Sequence, residues 1–437
     1  MIEGHPGRFA RVRQIINKLD LLIMPRQTDM KLLNACERRQ MTQDTPVVAP
    51  QSWDRPQDGA GPSWLRDRNE RLVLSTVRDN GPIASAEIAR MTSLSAQTAS
   101  VITRSLEADG LLLRGAPQRG KVGKPSVPVT LNPSGALAYG LRIGRRGAAL
   151  VLMDIVGGVR AQKTITYPYP TPELVHAFMK AGVEEISGQI DAATARSIIG
   201  IGVAAPFELW NWLDVVGAPK EEMLRWQEYD FPTAFATFTP LPVIVANDAT
   251  MACNGEFVFG VGAELQEFLY FYIGAFIGGG LVMNSAVHFG RNGNAGAFGS
   301  ILVGDASSHG QQLIHNASIF TLEAELQAVF KRPFSLWGQS EDWNSHPEIV
   351  RNWCARTAKA MARAIVSAVA VVDIQTVVVD GGMPEPIKAT IVEMITEALA
   401  RTESEGIVLP SVLAGKLGIS AGALGAAYQP IKTAHFL

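Results

Sequence analysis

The sequence predicts an α/β protein in which a small helical domain precedes a larger body of alternating strands and helices. From residue 134 to the C-terminus, apolar runs that end in glycine alternate with helical patterns. Residues 63–133 instead contain short helical patterns followed by a pair of short apolar runs. Residues 1–62 hold no sustained pattern and become rich in proline, glutamine and aspartate, so we interpret them as a disordered tail or linker.

The bulk composition indicates an ordinary protein of two or three domains. The chain has 437 residues and a formal net charge of −2, with 47% hydrophobic and 18% charged residues. Its cysteines (Cys36, Cys253 and Cys354) lie far apart, which is typical of a reducing compartment and argues against a structural zinc site. No apolar run is long enough to span a bilayer, and the start is not that of a signal peptide. We therefore expect a cytoplasmic protein that has no contact with membranes.

Residues 69–131 have the spacing of a helix-turn-helix. A first helical pattern ends at Asn80-Gly81-Pro82, a triplet that interrupts helices. A short helical pattern with Ile88 follows, and Ser95, a favourable N-cap residue, precedes a third. Helix, tight turn and helix at this spacing predict a helix-turn-helix, with the helix after Ser95 in the recognition position.

The polar face of that third helix is the expected DNA-reading surface. Short polar and guanidinium groups can meet base edges or phosphates. We expect DNA contacts from Ser95, Gln97, Thr98, Ser100 and Arg104.

A basic loop between the two apolar runs extends this surface. The runs, 111–113 and 127–131, are predicted to pair as a hairpin, and the loop between them would contact the DNA backbone or minor groove through Arg119, Lys121 and Lys124. From Gly110 through Met153 there are seven Lys or Arg residues and no Asp or Glu. The alternative is a small packed domain with a solvated hairpin.

The larger body is predicted as a series of strands and helices joined by turns. The expected strands are 136–151 (two strands with a turn), 159–167, 197–205, 242–246, 267–273, 280–284 and 376–379. The expected helices are 172–190, 247–259, 322–330, 347–372 and 385–401. The segment from 206 to 241 is aromatic and is predicted to be loop-rich.

From about residue 66 onward, the chain resembles the ROK family, which groups repressors with sugar kinases. Five motifs occur in the family's order: GKVGKPS (120–126), PVIVANDATMACNGE (242–256), GGGLVMNSAVHFGRNGNAGAFGS (278–300), VVVDGGM (377–383) and GISAGALGAA (418–427). The resemblance implies a winged helix-turn-helix over 63–133. It also implies an actin-like ATPase fold over 134–437, with two α/β lobes around a cleft that holds sugar and nucleotide in the kinases.

The resemblance also implies ligand-binding residues. Asn247 and Asp248 match the pair that holds the sugar, and in the kinases the Asp is the base that takes the proton from the attacking hydroxyl. Glu323 matches a third sugar-contacting position. Without the resemblance, Asn247-Asp248 would be a helix cap and Glu323 a helix-surface residue.

Departures from the family pattern argue against catalysis. Arg142 stands where the kinases have the acid of D-x-G-G-T, and arginine offers no oxygen to a cation. Phe276 places a ring in the second phosphate loop, where we interpret Gly278–Gly280 as a tight turn into a strand. Ala297 replaces a pocket glutamate and Phe207 an expected glycine, which predicts a smaller and less polar pocket.

The metal-binding positions of the family are also changed. The positions that match its zinc ligands are Ser300, Ile314, Asn316 and Thr321, none of which offers a thiolate or an imidazole. We therefore expect no metal and no cofactor.

Together these observations predict a DNA-binding transcriptional regulator, a repressor of carbohydrate-metabolism genes. Its degenerate kinase-like domain would sense a sugar or a related metabolite, and a homodimer or homotetramer would bind operator DNA. One alternative is an ATP-dependent sugar kinase with a DNA-binding module, which Asp248 favours and Arg142 and Phe276 oppose. Another is a regulator without a small ligand, controlled by a protein partner at the cleft.

Overall fold

A computed structural model describes residues 62–117, 126–211, 217–304, 311–331, 336 and 341–437. In these ranges the chain forms a winged helix-turn-helix followed by two α/β lobes, which confirms the fold predicted from the sequence. The segment predicted as a tail or linker and the basic loop with Arg119, Lys121 and Lys124 lie outside the described residues. None of the helices in the described part of the chain has the length and hydropathy that a membrane span needs.

The N-terminal domain is a compact three-helix unit with a small sheet. Its elements are α1 (Pro62–Asn80), β1 (Ile83–Ala84), α2 (Ser85–Thr92), α3 (Ala96–Ala108), β2 (Leu112–Arg114) and β3 (Pro128–Leu131). The strands form a three-stranded sheet in the order β1-β3-β2, so the two apolar runs pair antiparallel as expected. The side-chain oxygen of Ser95 accepts a hydrogen bond from the backbone N–H of Thr98 at 3.0 Å and caps α3.

The first lobe is built on a five-stranded mixed sheet. Its strands are β4 (Leu137–Ile143), β5 (Gly147–Asp154), β6 (Val159–Thr166), β7 (Ile198–Ala205) and β8 (Val243–Asn247). They lie in the order β6-β5-β4-β7-β8, with β4, β7 and β8 parallel. The helix α4 (Pro172–Gln189) buries Val175, Met179 and Ile186 against this sheet, followed by α5 (Ala192–Arg196).

The second lobe repeats the design with a second five-stranded sheet. Its strands are β9 (Phe268–Ile273), β10 (Ile277–Met283), β11 (Ala286–His288), β12 (Thr376–Gly381) and β13 (Ser411–Ala414), in the order β11-β10-β9-β12-β13. Its helices are α8 (Asp248–Phe259), α9 (Ile314–Ala317), α10 (Ile319–Phe330), α11 (Pro347–Val372) and α12 (Glu385–Leu399). Buried residues such as Trp353, Ile365 and Ile391 fill the core between these helices and the sheet.

The last helix, α13 (Ala421–His435), packs on the first lobe and on the N-terminal domain. A Cβ added at Gly202 of β7 would lie 1.8 Å from the carbonyl oxygen of Ala426, so the helix backbone rests directly on the strand backbone. Further along α13, Tyr428 and Ile431 belong to the same buried cluster as Val73 of α1. One continuous core therefore joins the N-terminal domain to the first lobe.

Two sequence predictions are wrong in detail. Residues 220–235, expected in a loop-rich segment, contain the short helices α6 (Lys220–Leu224) and α7 (Phe231–Phe235), because Trp226, Phe231 and Phe235 pack together in the first-lobe core. Gly278–Gly280 do not form a tight turn. They lie inside β10, paired with Tyr272, Phe271 and Tyr270 of β9.

Candidate functional site

A cavity of about 330 Å³ opens between the two lobes. The first lobe contributes the β4–β5 turn and the ends of β7 and β8, and the second contributes β9 and the start of β10. The charged side chains that line it are Arg142, Arg145, Arg146, Glu208 and Asp248. This is the edge of the sheet where ligands of open α/β folds bind, beyond the carboxyl ends of the parallel strands.

Asn247 and Asp248 line this cavity at the point where β8 ends and α8 begins. The side-chain oxygen of Asn247 accepts hydrogen bonds from the backbone N–H groups of Ala249 and Thr250, at 3.0 and 3.1 Å. One carboxylate oxygen of Asp248 also accepts from Ala249, at 2.9 Å. The capping role that the sequence allowed is therefore present together with the cavity position. Ligand contact by either residue stays a prediction.

Arg142 and Arg145 reach the cavity from the first lobe, from the end of β4 and from the β4–β5 turn. Arg142 is the penultimate residue of β4, only 6% exposed, and its guanidinium carbon lies 5.6 Å from the centroid of the Tyr272 ring. Arg145 follows in the β4–β5 turn, with its guanidinium carbon 3.5 Å from the centroid of the Phe276 ring. The Tyr167 hydroxyl donates to the Gly144 carbonyl at 2.7 Å and fixes this turn.

Burial shapes the electrostatics of these groups. Desolvation lowers the pKa of Arg145 to about 9, helped by repulsion from Arg142 and opposed by attraction to Asp248. Desolvation also raises the pKa of Tyr272, so its phenol keeps its proton at neutral pH. The cavity therefore combines guanidinium groups with a neutral hydroxyl donor.

Tyr272 is a site residue that the sequence argument missed. The residue lines the cavity, and its hydroxyl is buried with no hydrogen-bond partner among the described residues. The alternation of β9 (Phe268–Ile273) could have placed Tyr270 and Tyr272 on one face. Nothing in that alternation shows that this face meets the arginines of the other lobe.

The expectation of a smaller and less polar pocket than in the family stays a prediction. Ala297 and Phe207 do line the cavity, and neither offers a charge. Arg142, Arg145 and Arg146 also line the cavity and supply charge to it.

Glu323 lies elsewhere. It is half-buried in α10 and is not among the residues that line the cavity. Its carboxylate accepts a hydrogen bond from the backbone N–H of Leu336 at 2.8 Å. In this structure it supports the chain that follows α10, and the predicted role in ligand binding finds no geometric support.

The residues present do not fit the nucleotide–metal site of the kinases. The buried guanidinium group of Arg142 stands where a cation would need an oxygen ligand, and the Phe276 ring lies against Arg145. Gly278 and Gly279 lie in β10 and pair with β9, so they do not form a phosphate-binding loop.

The zinc positions do not fit a metal either. Ile314 is buried, Asn316 donates its amide to the Gln312 carbonyl, and Thr321 accepts from the Trp353 indole at 3.0 Å. Within the described ranges no three His, Cys, Asp or Glu side chains converge on a point where a metal could bind.

The recognition helix α3 presents its polar face outward. Gln97 and Arg104 are exposed, and Thr98 and Ser100 are half-buried. Thr98 and Ser95 share a side-chain hydrogen bond of 2.8 Å, and the Arg104 Nε donates to the Ser100 carbonyl at 3.2 Å. The opposite face buries Ala99, Ile102 and Leu106 in the domain core.

Two family models match the chain. The model described as the ROK family matches residues 138–432, and the model described as a winged helix-turn-helix DNA-binding domain matches residues 66–112. The chain belongs to the ROK family. The family match spans both lobes and the whole cavity, and the second match spans α1 to α3.

Similar proteins include regulators within the ROK family. An uncharacterized Sinorhizobium fredii protein, y4fQ, is 26% identical over 374 residues, which cover 84% of this chain and 92% of that protein. The xylose repressor of Bacillus subtilis is 22% identical over 246 residues, covering 56% of this chain and 63% of the repressor. The chain thus matches less than two thirds of the length of that named repressor.

Solved ROK structures share the fold. A ROK family transcriptional regulator described as a homologue of the Escherichia coli MLC protein has a TM-score of 0.64 and 19% identity, covering 85% of this chain and 96% of that one. A ROK family glucokinase from Streptomyces griseus has a TM-score of 0.53 and 22% identity, covering 67% of this chain and 98% of the glucokinase. The first likeness extends over most of the chain, whereas the second covers about two thirds of it.

Proposed function

We propose that the protein is a DNA-binding transcriptional regulator, a repressor of carbohydrate-metabolism genes, whose ROK domain senses a sugar or a related small metabolite in the cytoplasm. The observation that carries the proposal is the path of α13. At its start, Gly422 lies against the stem of Arg142, where an added Cβ would be 2.7 Å from the arginine Cδ. At its end, α13 packs on α1 of the winged helix-turn-helix.

This path gives the cavity a physical connection to the DNA-binding domain. A ligand that displaces Arg142 would press on or release the start of α13, and the far end of the same helix packs on α1. Ligand binding would then shift the population between two arrangements of the DNA-binding domains. The similarity to a xylose repressor favours repression and a sugar-related ligand.

We expect the protein to bind as a homodimer or homotetramer. A helix-turn-helix dimer places its two recognition helices about one turn of DNA apart, so the operator should be pseudo-palindromic. Light scattering of the full chain with and without operator DNA tests the stoichiometry, and one bound protomer per operator would contradict it.

The experiment that tests the sensing role uses fluorescence anisotropy with DNA from the protein's own promoter region. Asp248→Ala should keep the affinity for DNA and lose the response to the metabolite, because Asp248 lines the cavity and lies far along the chain from α3. If the variant still responds fully, the cavity is not the site that senses the metabolite. Glu228→Ala, a change at an exposed acid outside the cavity, is the matched control.

The second candidate is an ATP-dependent sugar kinase that carries a DNA-binding domain. Asp248 favours it because the carboxylate needed to accept a hydroxyl proton is present in the cavity. Arg142 opposes it because a cation bridging nucleotide phosphates needs oxygen ligands. Incubation with ATP, Mg²⁺ and a panel of hexoses distinguishes the two candidates. Steady hydrolysis of ATP with phosphorylation of a hexose, abolished by Asp248→Ala, would establish the kinase.

A further inference from the structure

The cavity carries more positive than negative charge at its walls. Three arginines line it, Arg142, Arg145 and Arg146, against two carboxylates, Glu208 and Asp248. The positive groups lie close together along the chain, at the end of β4 and in the β4–β5 turn, whereas Asp248 lies at the start of α8. A neutral polyol gains little from such a wall, since it offers hydrogen-bond acceptors without a charge.

Arg142 and Arg145 are held in place by aromatic rings. Arg142 lies over Tyr272 and Arg145 lies over Phe276, at 5.6 and 3.5 Å between guanidinium carbon and ring centroid. The two cations repel each other strongly enough to help lower the pKa of Arg145. An anion placed between them would relieve that repulsion, and a water-poor site strengthens such an attraction.

A third group points to the same position. Tyr272 lines the cavity, and its buried hydroxyl has no hydrogen-bond partner among the described residues. A buried donor without a partner destabilises the fold, so this hydroxyl indicates that a ligand oxygen belongs beside it. Because burial raises its pKa, the phenol stays a donor and adds no negative charge to repel an anion.

We propose that the cavity takes an acidic sugar derivative, a sugar acid or a sugar phosphate, whose anionic group binds Arg142, Arg145 and the Tyr272 hydroxyl. The hydroxyl groups of the sugar would then face Asn247 and Asp248, which also line the cavity. A volume of about 330 Å³ is at the small end of ligand sites, which suits one small metabolite without a nucleotide. The inference rests on the proposed sensing function and specifies the class of its ligand.

Isothermal titration calorimetry on the full chain tests this. The probes are hexuronates and aldonates, hexose phosphates, and the matching neutral hexoses. At least one acidic sugar should bind about tenfold to a hundredfold more tightly than its neutral counterpart, as expected for charge-assisted hydrogen bonds. Comparing the sugar acids with the sugar phosphates shows whether a carboxylate or a phosphate is the anionic group that binds. Equal affinity for the neutral sugar, or no binding by any acidic sugar, overturns the inference.

Single substitutions test where in the cavity the anionic group of the ligand binds. Arg145→Gln should remove most of the preference for the acidic sugar over its neutral counterpart, and Tyr272→Phe should weaken acidic-sugar binding severalfold while the fold is kept. Arg401→Gln removes an equal charge from the exposed segment after α12 and should change nothing. Thermal unfolding by circular dichroism checks that each variant is folded. An unchanged preference in folded Arg145→Gln contradicts the proposed arrangement.

The same ligands in the DNA-binding assay separate this inference from the proposed function. An acidic sugar that binds without releasing DNA overturns the sensing role and leaves the ligand class standing. A neutral hexose that releases DNA, with no acidic ligand bound, overturns the ligand class and leaves the sensing role standing.

Discussion

The Arg78 guanidinium donates a hydrogen bond to the Tyr428 hydroxyl, and this contact joins the last turn of α1 to the middle of α13. The same guanidinium carbon lies 4.7 Å from the centroid of the Phe436 ring. Nearby, an Arg71 guanidinium nitrogen donates to the Thr433 carbonyl at 2.8 Å. The winged helix-turn-helix is therefore fastened to the ROK domain by directional bonds as well as by apolar packing.

Tyr428→Phe should loosen this attachment without emptying the core. It removes one acceptor of a partly buried cation, which keeps its hydrogen bond to Asp79 at 2.8 Å. Hydrogen bonds to charged groups contribute about 1.5–3 kcal/mol to the free energy of unfolding. We expect that loss in urea denaturation, with DNA affinity retained and the response of DNA binding to the metabolite reduced. Fluorescence anisotropy measures the second and third quantities.

Tyr139→Phe is the control for removing a buried phenol. The Tyr139 hydroxyl shares a hydrogen bond of 3.2 Å with the neutral hydroxyl of Ser187, and its ring lies in a different buried cluster from that of Tyr428 and α1. It should lower the free energy of unfolding by about 0.5–1.5 kcal/mol and leave the response intact. Equal loss of response in both variants would mean that general destabilisation, and not the Arg78 contact, explains the effect.

The two exposed polar residues of α3 should act differently on DNA. Arg104→Ala should weaken binding to operator and unrelated DNA alike and reduce the salt slope by about 1, as expected for a phosphate contact. Gln97→Ala should weaken operator binding alone, by about 1–3 kcal/mol, as expected for a base contact. Titrations at several salt concentrations separate the two. Arg401→Ala, far from α3 in the sequence, should change neither quantity.

The winged helix-turn-helix was predictable because its signals are local. The breaker triplet Asn80-Gly81-Pro82 ends α1, and the Ser95 side chain caps α3 at the predicted position. Helix caps and turns depend on a few neighbouring residues, so one sequence is enough to place them.

The cavity was only partly predictable because its walls come from distant segments. Asn247 and Asp248 were found through a motif, whereas Tyr272 and Arg142 meet across the cleft only after both sheets have formed. Glu323 was also found through a motif, and its carboxylate accepts a hydrogen bond from the backbone N–H of Leu336, so its role in ligand binding stays a prediction. The register of the strands and the packing of the two lobes decide such contacts, and neither can be inferred from the spacing of residues in the sequence.

Gly280 shows why a glycine run need not be a turn. It lies within β10, and an added Cβ would be 2.4 Å from the Cβ of Cys253 in α8. Gly280→Ala should therefore lower the free energy of unfolding by about 1–3 kcal/mol through overpacking. Gly188→Ala is the matched control, since Gly188 lies in α4 with no atom near the added Cβ. That change should stabilise the protein by up to about 1 kcal/mol. Urea denaturation measures both, and a neutral Gly280→Ala would contradict the close packing of β10 on α8.

His435 should make the attachment of the winged helix-turn-helix sensitive to acid. It lies in the last turn of α13, where burial and the nearby Arg71 lower its pKa and Asp67 opposes them. Because the unfolded chain takes up a proton at higher pH than the folded one, the free energy of unfolding should fall as pH drops from about 6.5 toward the lowered value. One group can change it by at most about 1.4 kcal/mol per pH unit. Above that window the imidazole is neutral in both states, and the contribution is flat.

Urea denaturation between pH 5 and pH 8 measures this slope. His435→Gln cannot take up the proton, so its stability should fall less than that of the unmodified protein across the same window. His288→Gln removes an exposed imidazole from β11 and is the control for general effects of losing a histidine. If the slope of His435→Gln equals that of the unmodified protein, another group controls the acid response. If it is shallower, protonation of His435 weakens the contact between α13 and α1, and operator affinity measured at pH 6 should then depend on this histidine as well.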